Sequence, residues 1–329
     1  MRILLSYKFH RNMTPLGFEC ERALESLGHT VHRMNVDPQP SWWQRKRRAP
    51  GEDRNALLLE CMKRVKPDLL LVLIGYNYFP DTLETIKRTY NIPIVGWWVE
   101  NPDSFQALYP TLRWFDHFFS FSRKVADEIT KTDQGRCHFV NYGTDPSLYN
   151  PMALGRYARL RYGSDLSFLG KFKERRRDYL SAVADLDLGI WGPLWKKELK
   201  KERHELLSRV RGTRLYDRKA ALLFGATKVN VNINSWATPS GPNLRVFDVL
   251  GCGSFLLTEY VEEIEELFSV GREIDTFVSA DELKDKCRFY LRNDSLREQI
   301  ARQGFEKVCS SYTMSHCLQR ILDIAFQST

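Results

Sequence analysis

Two α/β domains of the doubly wound kind are what the sequence predicts, and three observations carry the prediction. Short apolar runs alternate along the chain with segments of helical periodicity. The run LLLVLI at 69–74 is apolar at every position, as a strand covered on both faces of a parallel sheet requires. The alternation pauses at a turn-rich stretch, NYGTDPSLYNPMALGRYARL, and then restarts, which marks a connection between domains.

The elements follow in order. Residues 3–6 read as a buried strand, and 16–27 carry apolar residues at helical spacing up to Gly28, the residue type that closes a helix. A strand returns at 29–35. SWWQRKRRAPGEDRN, at 41–55, is a basic, tryptophan-bearing insertion. Helices are expected at 56–65 and 79–90, and strands at 69–74, 94–99, 116–121 and 137–142. After the connection come strands at 166–169, 188–191 and 228–233, with helices at 175–184 and 217–224. GPNLRVFDVLGCGSFLLTEY, at 241–260, runs from a Gly-Pro turn through a helical stretch and Gly-Cys-Gly into an apolar strand. A helix at 261–268, an apolar pair at 277–278 and helices at 280–291 and 295–309 complete the second domain. A last helix, capped by Ser311 or Thr313, runs through Phe326. The boundaries drawn are 1–150, 151–310 and a terminal helix in 311–329 that crosses back to the first domain.

Composition narrows the function classes. A chain of 329 residues, 43% hydrophobic and 12% aromatic, can build two cores and is not a disordered polymer. Seven scattered cysteines with no CxxC spacing give neither a zinc site nor a disulfide framework and fit a reducing compartment. The opening MRILLSYKFH is too short in its apolar run for a secretion signal, and no stretch is long enough to span a bilayer. The expectation is a cytoplasmic protein, at most peripheral at the inner membrane face. A net charge of +8 favours an anionic ligand, surface or polymer.

Segments of the second half, in order, carry a family resemblance: SDLSFLGKFKERRRDYL, GIWGPLW, KVNVNINSW, GPNLRVFDVLGCGSFLLTEY, ELFSVGREIDTFVSADEL and REQIARQGFEKVCSSYT. The first half matches more loosely through LESLGHTV, KPDLLLVLIG, IVGWWVENPDSF and HFVNYGTDPSLYNP. Together they resemble the GT-B glycosyltransferases, and more narrowly the CgeB-like spore-maturation proteins within the group around glycosyltransferase family four. The resemblance implies two Rossmann-like domains facing a cleft, a nucleoside-diphosphate-sugar donor held by the second and a hydroxyl-bearing acceptor held by the first. It implies a hexosyltransferase without a metal or cofactor, retaining anomeric configuration. The acceptor class stays open among glycan, lipid-linked saccharide, protein and nucleic acid. Three rival readings also stay open: a non-catalytic polyanion- or membrane-binding protein, a phosphorylase or epimerase on the same fold, and a transferase acting on nucleic acid through the basic insertion.

Chemistry selects the site residues. The leaving group of such a donor is an anionic diphosphate, so backbone amides before a helix suit it. Ser240, Gly241, Asn243 and Leu244 occupy that turn, and Arg245 and Asp248 share the next helical turn. The family has an acid at the Asp248 position that bonds the ribose hydroxyls. It usually has Glu there and at Ser240, two departures that leave the donor's identity open. In the loop GKFKERRRD, Gly170 allows close approach and Lys171 and Arg176 can neutralise phosphates, with Arg176 matching the family's basic residue; Arg175 and Arg177 read as a wetted face. Glu100, at the end of the 94–99 strand, is placed for general-base work or acceptor orientation, against a capping role in a proline turn. His10, after the first strand, is the second catalytic candidate. Trp191 and Trp236 read as core. Trp42–Arg48 is a candidate contact for anionic lipid or nucleic acid.

Overall fold

The computed structural model describes residues 1–9, 15–36, 54–74, 78–132, 136–236 and 240–327. His10 and the Trp42–Arg48 segment lie outside them. The chain divides into two compact units, one of Met1–Asn141 with Met314–Thr329, the other of Tyr142–Thr313.

The first unit holds a parallel sheet of strands β1 (Arg2–Tyr7), β2 (Thr30–Asn35), β3 (Leu69–Leu73), β4 (Ile94–Trp98), β5 (His117–Ser120) and β6 (Cys137–Phe139), in the order β2-β1-β3-β4-β5-β6. β3 and β4 are buried at every residue, which accounts for their continuous apolar sequences. Gly96 is required in β4, because a Cβ there would lie 2.1 Å from the Phe118 ring. Helix Leu16–Ser26 packs on the terminal helix Met314–Gln327, and Cys317 Sγ bonds the Asn141 carbonyl.

The second unit has strands β7 (Ser164–Leu169), β8 (Leu188–Trp191), β9 (Val210–Gly212), β10 (Thr227–Asn232), β11 (Leu256–Glu259) and β12 (Asp275–Phe277). They form a parallel sheet in the order β12-β11-β10-β7-β8-β9. Counted within the unit this is the Rossmann order, with the winding reversed between β7 and β10. Its core joins Leu166, Phe168, Leu188, Ile190, Val229 and Val231 to Leu283 and Ile300 of the covering helices. The turn-rich stretch read as a bare connection contains a helix, Arg156–Tyr162, seated through Ala158 and Tyr162. Among the described residues no helix is long and apolar enough to cross a membrane.

Candidate functional site

In an open parallel sheet the strand ends beside the reversal form a crevice, because the chain leaves β7 and β10 toward opposite sides. The loop after β7 is fixed there by its neighbour. Gly170 N–H donates to Trp191 O, Trp195 Nε1–H donates to Gly170 O at 2.8 Å, and Phe172 N–H donates to Pro193 O. Gly192 has φ +150°, and a Cβ on it would stand 1.8 Å from Gly170 O. The two backbones touch, and only glycine allows it.

Arg176 lies across the crevice floor. Its Nε and Nη2 donate to Ile233 O at 2.9 and 2.7 Å, and its Nη1 donates to Lys171 O at 3.0 Å, so one buried guanidinium ties the ends of β7 and β10. No carboxylate lies within ion-pair distance of it among the described residues. Burial, with the nearby Arg245 charge, lowers its pKa to about 10. Arg175 is more than a wetted residue: although a third of its side chain is exposed, it makes a bidentate pair with Glu259, a buried carboxylate at the end of β11 that also accepts the Asn234 backbone amide at 2.9 Å. Lys171 is exposed at the rim.

The turn before helix Leu244–Gly251 is held from behind. Gly241, at φ +73°, donates its amide to Glu263 Oε2 at 3.0 Å. Asn243 caps the helix by accepting the Arg245 amide at 3.0 Å, while its Nδ2 donates to Asn232 Oδ1 and Asn234 Oδ1. The Gly241 and Arg245 amides are thus committed within the protein. Those of Asn243 and Leu244 have no partner among the described residues. Ser240 is buried at the start of the turn. One turn into the helix, Arg245 Nη1 meets Asp248 Oδ2 at 3.2 Å, and its guanidinium covers the Phe224 ring. Asp248 is 1% exposed, and its Oδ1 is buried without a hydrogen-bond partner among the described residues. Burial outweighs the Arg245 charge and, with Asp145 and Asp217 nearby, pushes its carboxyl up to about 7.

In the first unit Glu100 follows β4. The cap of the 3₁₀ helix Pro102–Leu108 is made by Asn101, which accepts the Asp103 amide, so the Glu100 carboxylate is not spent on the proline turn. Burial raises its pKa, and Lys8, just past β1, partly opposes the shift. Ile74, after β3, has φ +90°, rare for a β-branched residue, so strain collects where β1 and β3 diverge. Trp191 is fully buried, as a core residue should be.

One end of the second sheet thus gathers two open amides, the cations Arg176 and Arg245, and a buried acceptor oxygen. A ligand with a phosphate next to a hydroxyl-bearing ring matches that set. The model of a family described as glycosyl transferase-like matches residues 175–323. HepE of Anabaena, solved with UDP and glucose, superposes with a TM-score of 0.69 at 14% identity, 100% of each chain being covered. Sucrose-phosphate synthase of Thermosynechococcus elongatus gives 0.72 at 13%, again over 100% of both chains. A glycosyltransferase of Rickettsia africae gives 0.72 at 14%, over 99% of this chain and 98% of that one. The chain has the GT-B fold. Curated proteins offer no match in sequence. Within this GT-B chain the family match begins at Arg175 and so takes in Arg176, the turn at 240–243 and Asp248, while Gly170 and Lys171 precede it.

Proposed function

We propose that the chain is a glycosyltransferase whose second unit holds a nucleoside-diphosphate sugar at the β7–β10 crevice. The observation that carries the reading is the pairing of Arg176, a buried cation with no carboxylate on it among the described residues, with Asp248, whose Oδ1 has no partner among them and lies one helical turn beyond the open amides. Arg176 and Lys171 balance the diphosphate, the Asn243 and Leu244 amides donate to it, and Asp248 accepts the ribose hydroxyls. The glycosyl transferase-like match supports the class, and HepE, solved with UDP and with UDP-glucose, supports the donor chemistry. The narrower CgeB-like affiliation rests on the ordered sequence segments.

Negative charge grows on the leaving diphosphate as the sugar departs, so donors fixed in advance on those oxygens stabilise the transition state more than the ground state. The reading assigns this task to protein groups and no metal. It takes the reaction as a hexosyl transfer to a hydroxyl with retention, in which Glu100 orients the acceptor; inversion would make Glu100 the base. Titration calorimetry with UDP, dTDP, GDP and ADP tests the donor site. At least one binds, and Arg176→Ala and Asp248→Ala each weaken it by about 1–3 kcal/mol. Absence of binding by all four, or equal affinity in both variants, overturns the site.

A further inference from the structure

Helix Arg156–Tyr162 (RYARLRY) is apolar on two faces. Ala158 and Tyr162, four residues apart, seat it on the second unit, whereas Tyr157 and Leu160, three apart, are 75% and 76% exposed. Arg156, Arg159 and Arg161 are exposed alongside them. Arg159 also lines an open pocket of about 590 Å³ at the amino ends of β10 and β11, the sheet end opposite the crevice, together with Lys228, Arg297, Arg302 and Glu298. Lys228 and Arg297 are paired, with Asp165 at 2.8 Å and Asp294 at 2.6 Å. Arg159 and Arg302 have no carboxylate within ion-pair distance among the described residues, and Glu298 is the one acid lining the pocket.

We propose that this face of the second unit docks on an anionic phospholipid surface, with Tyr157 and Leu160 entering the interface and the Arg159–Arg302 pocket taking a lipid phosphate. Arginine guanidinium matches phosphate oxygens in a bidentate fork. Tyrosine and leucine beside such cations gain free energy by leaving water for the boundary between headgroup and hydrocarbon. A free phosphate would leave both apolar side chains in water. A nucleic acid can stack on Tyr157 but offers Leu160 no hydrocarbon to enter. The surface is separate from the crevice, and the inference stands whether or not the donor reading does.

Co-sedimentation of the full chain with vesicles of phosphatidylcholine, and of an equimolar mixture with phosphatidylglycerol, tests it. Binding is expected to the mixed vesicles alone and to fall with added salt. A Tyr157→Ser, Leu160→Ser double variant and an Arg159→Glu, Arg302→Glu double variant should each lower the partition by roughly tenfold or more, with an unchanged thermal midpoint. The substituted side chains of the first variant are solvent-facing, so its fold is not at risk. Equal binding to both vesicles overturns the proposal, as does no binding to either. Full binding by the first variant also overturns it, moving any lipid contact to another part of the chain such as Trp42–Arg48. Loss by the variants of binding to single-stranded RNA, without vesicle binding by the parent, assigns the surface to nucleic acid instead.

Discussion

Asp248 is a single carboxyl whose burial sets a cost on the fold once it is ionised. Its folded pKa, about 7, lies above the unfolded value of roughly 4. Folded chains therefore hold its proton more tightly between those limits, and the contribution of Asp248 to stability falls as pH rises through that window, then levels off. Stability of the native protein minus that of Asp248→Asn should drop by about 1 kcal/mol per pH unit between pH 4 and 7, read from urea unfolding. A flat difference would show that Asp248 stays ionised throughout. Nucleotide affinity should climb over the same range, because the ionised carboxylate is the stronger acceptor for ribose hydroxyls. Glu100→Gln should lower kcat about tenfold or more while nucleotide affinity stays unchanged. Full turnover in that variant removes Glu100 from the reaction. Arg175 shows where residue reading failed: a charged run at a helix start gives no local sign that Glu259, far along the chain, waits buried beside it.

At the scale of elements, the crevice depends on how tightly its loops are joined. Gly192→Ala forces a Cβ into the Gly170 carbonyl and should cost more than about 3 kcal/mol, seen as a lowered thermal midpoint together with weaker nucleotide binding. Asn243→Ala removes a cap and two side-chain hydrogen bonds, one to Asn232 at the end of β10 and one to Asn234 beyond it; about 1–2 kcal/mol should be lost, and a loss under 0.5 kcal/mol would mean the cap is dispensable. The central strands of the first sheet were legible because burial on two faces leaves an unbroken apolar run, as in LLLVL and IVGWW. The turn at 240–243 and its helix were legible from the Gly-Pro pair and the helical stretch after it, whereas the capping role of Asn243 emerges only in the structure. Helix Arg156–Tyr162 was hidden, since glycine and proline around it outweighed a short, arginine-rich sequence that has only two buried residues. Helix Trp195–Glu202, with WKKELKKE buried at Trp195 and Leu199, and the three-residue edge strand β9 carry too little periodicity to register. Asn230 and Asn232 were readable as strand residues, but their network with Asn234 was not, because its partners Ser167, Thr258 and Asn243 come from three other segments.

Across the whole molecule, two sheets of one class carry different strand orders: the first runs β2-β1-β3-β4-β5-β6, and only the second has the Rossmann order. Alternation of strand and helix predicts the class of both sheets; the order of strands depends on long-range pairing that no local pattern records. The first unit is also interrupted. Its last helix buries Leu318, Ile321 and Leu322 with the strands and helices of 1–141, although Tyr142–Thr313 intervenes in the chain. In effect one domain is the host and the other a guest threaded into it. A fragment ending at Asn141 should expose that apolar seat, lose about 1.5–3 kcal/mol for each of those side chains and precipitate. A permuted polypeptide, with 314–327 joined by a flexible tether ahead of 1–141, should fold on its own and melt cooperatively.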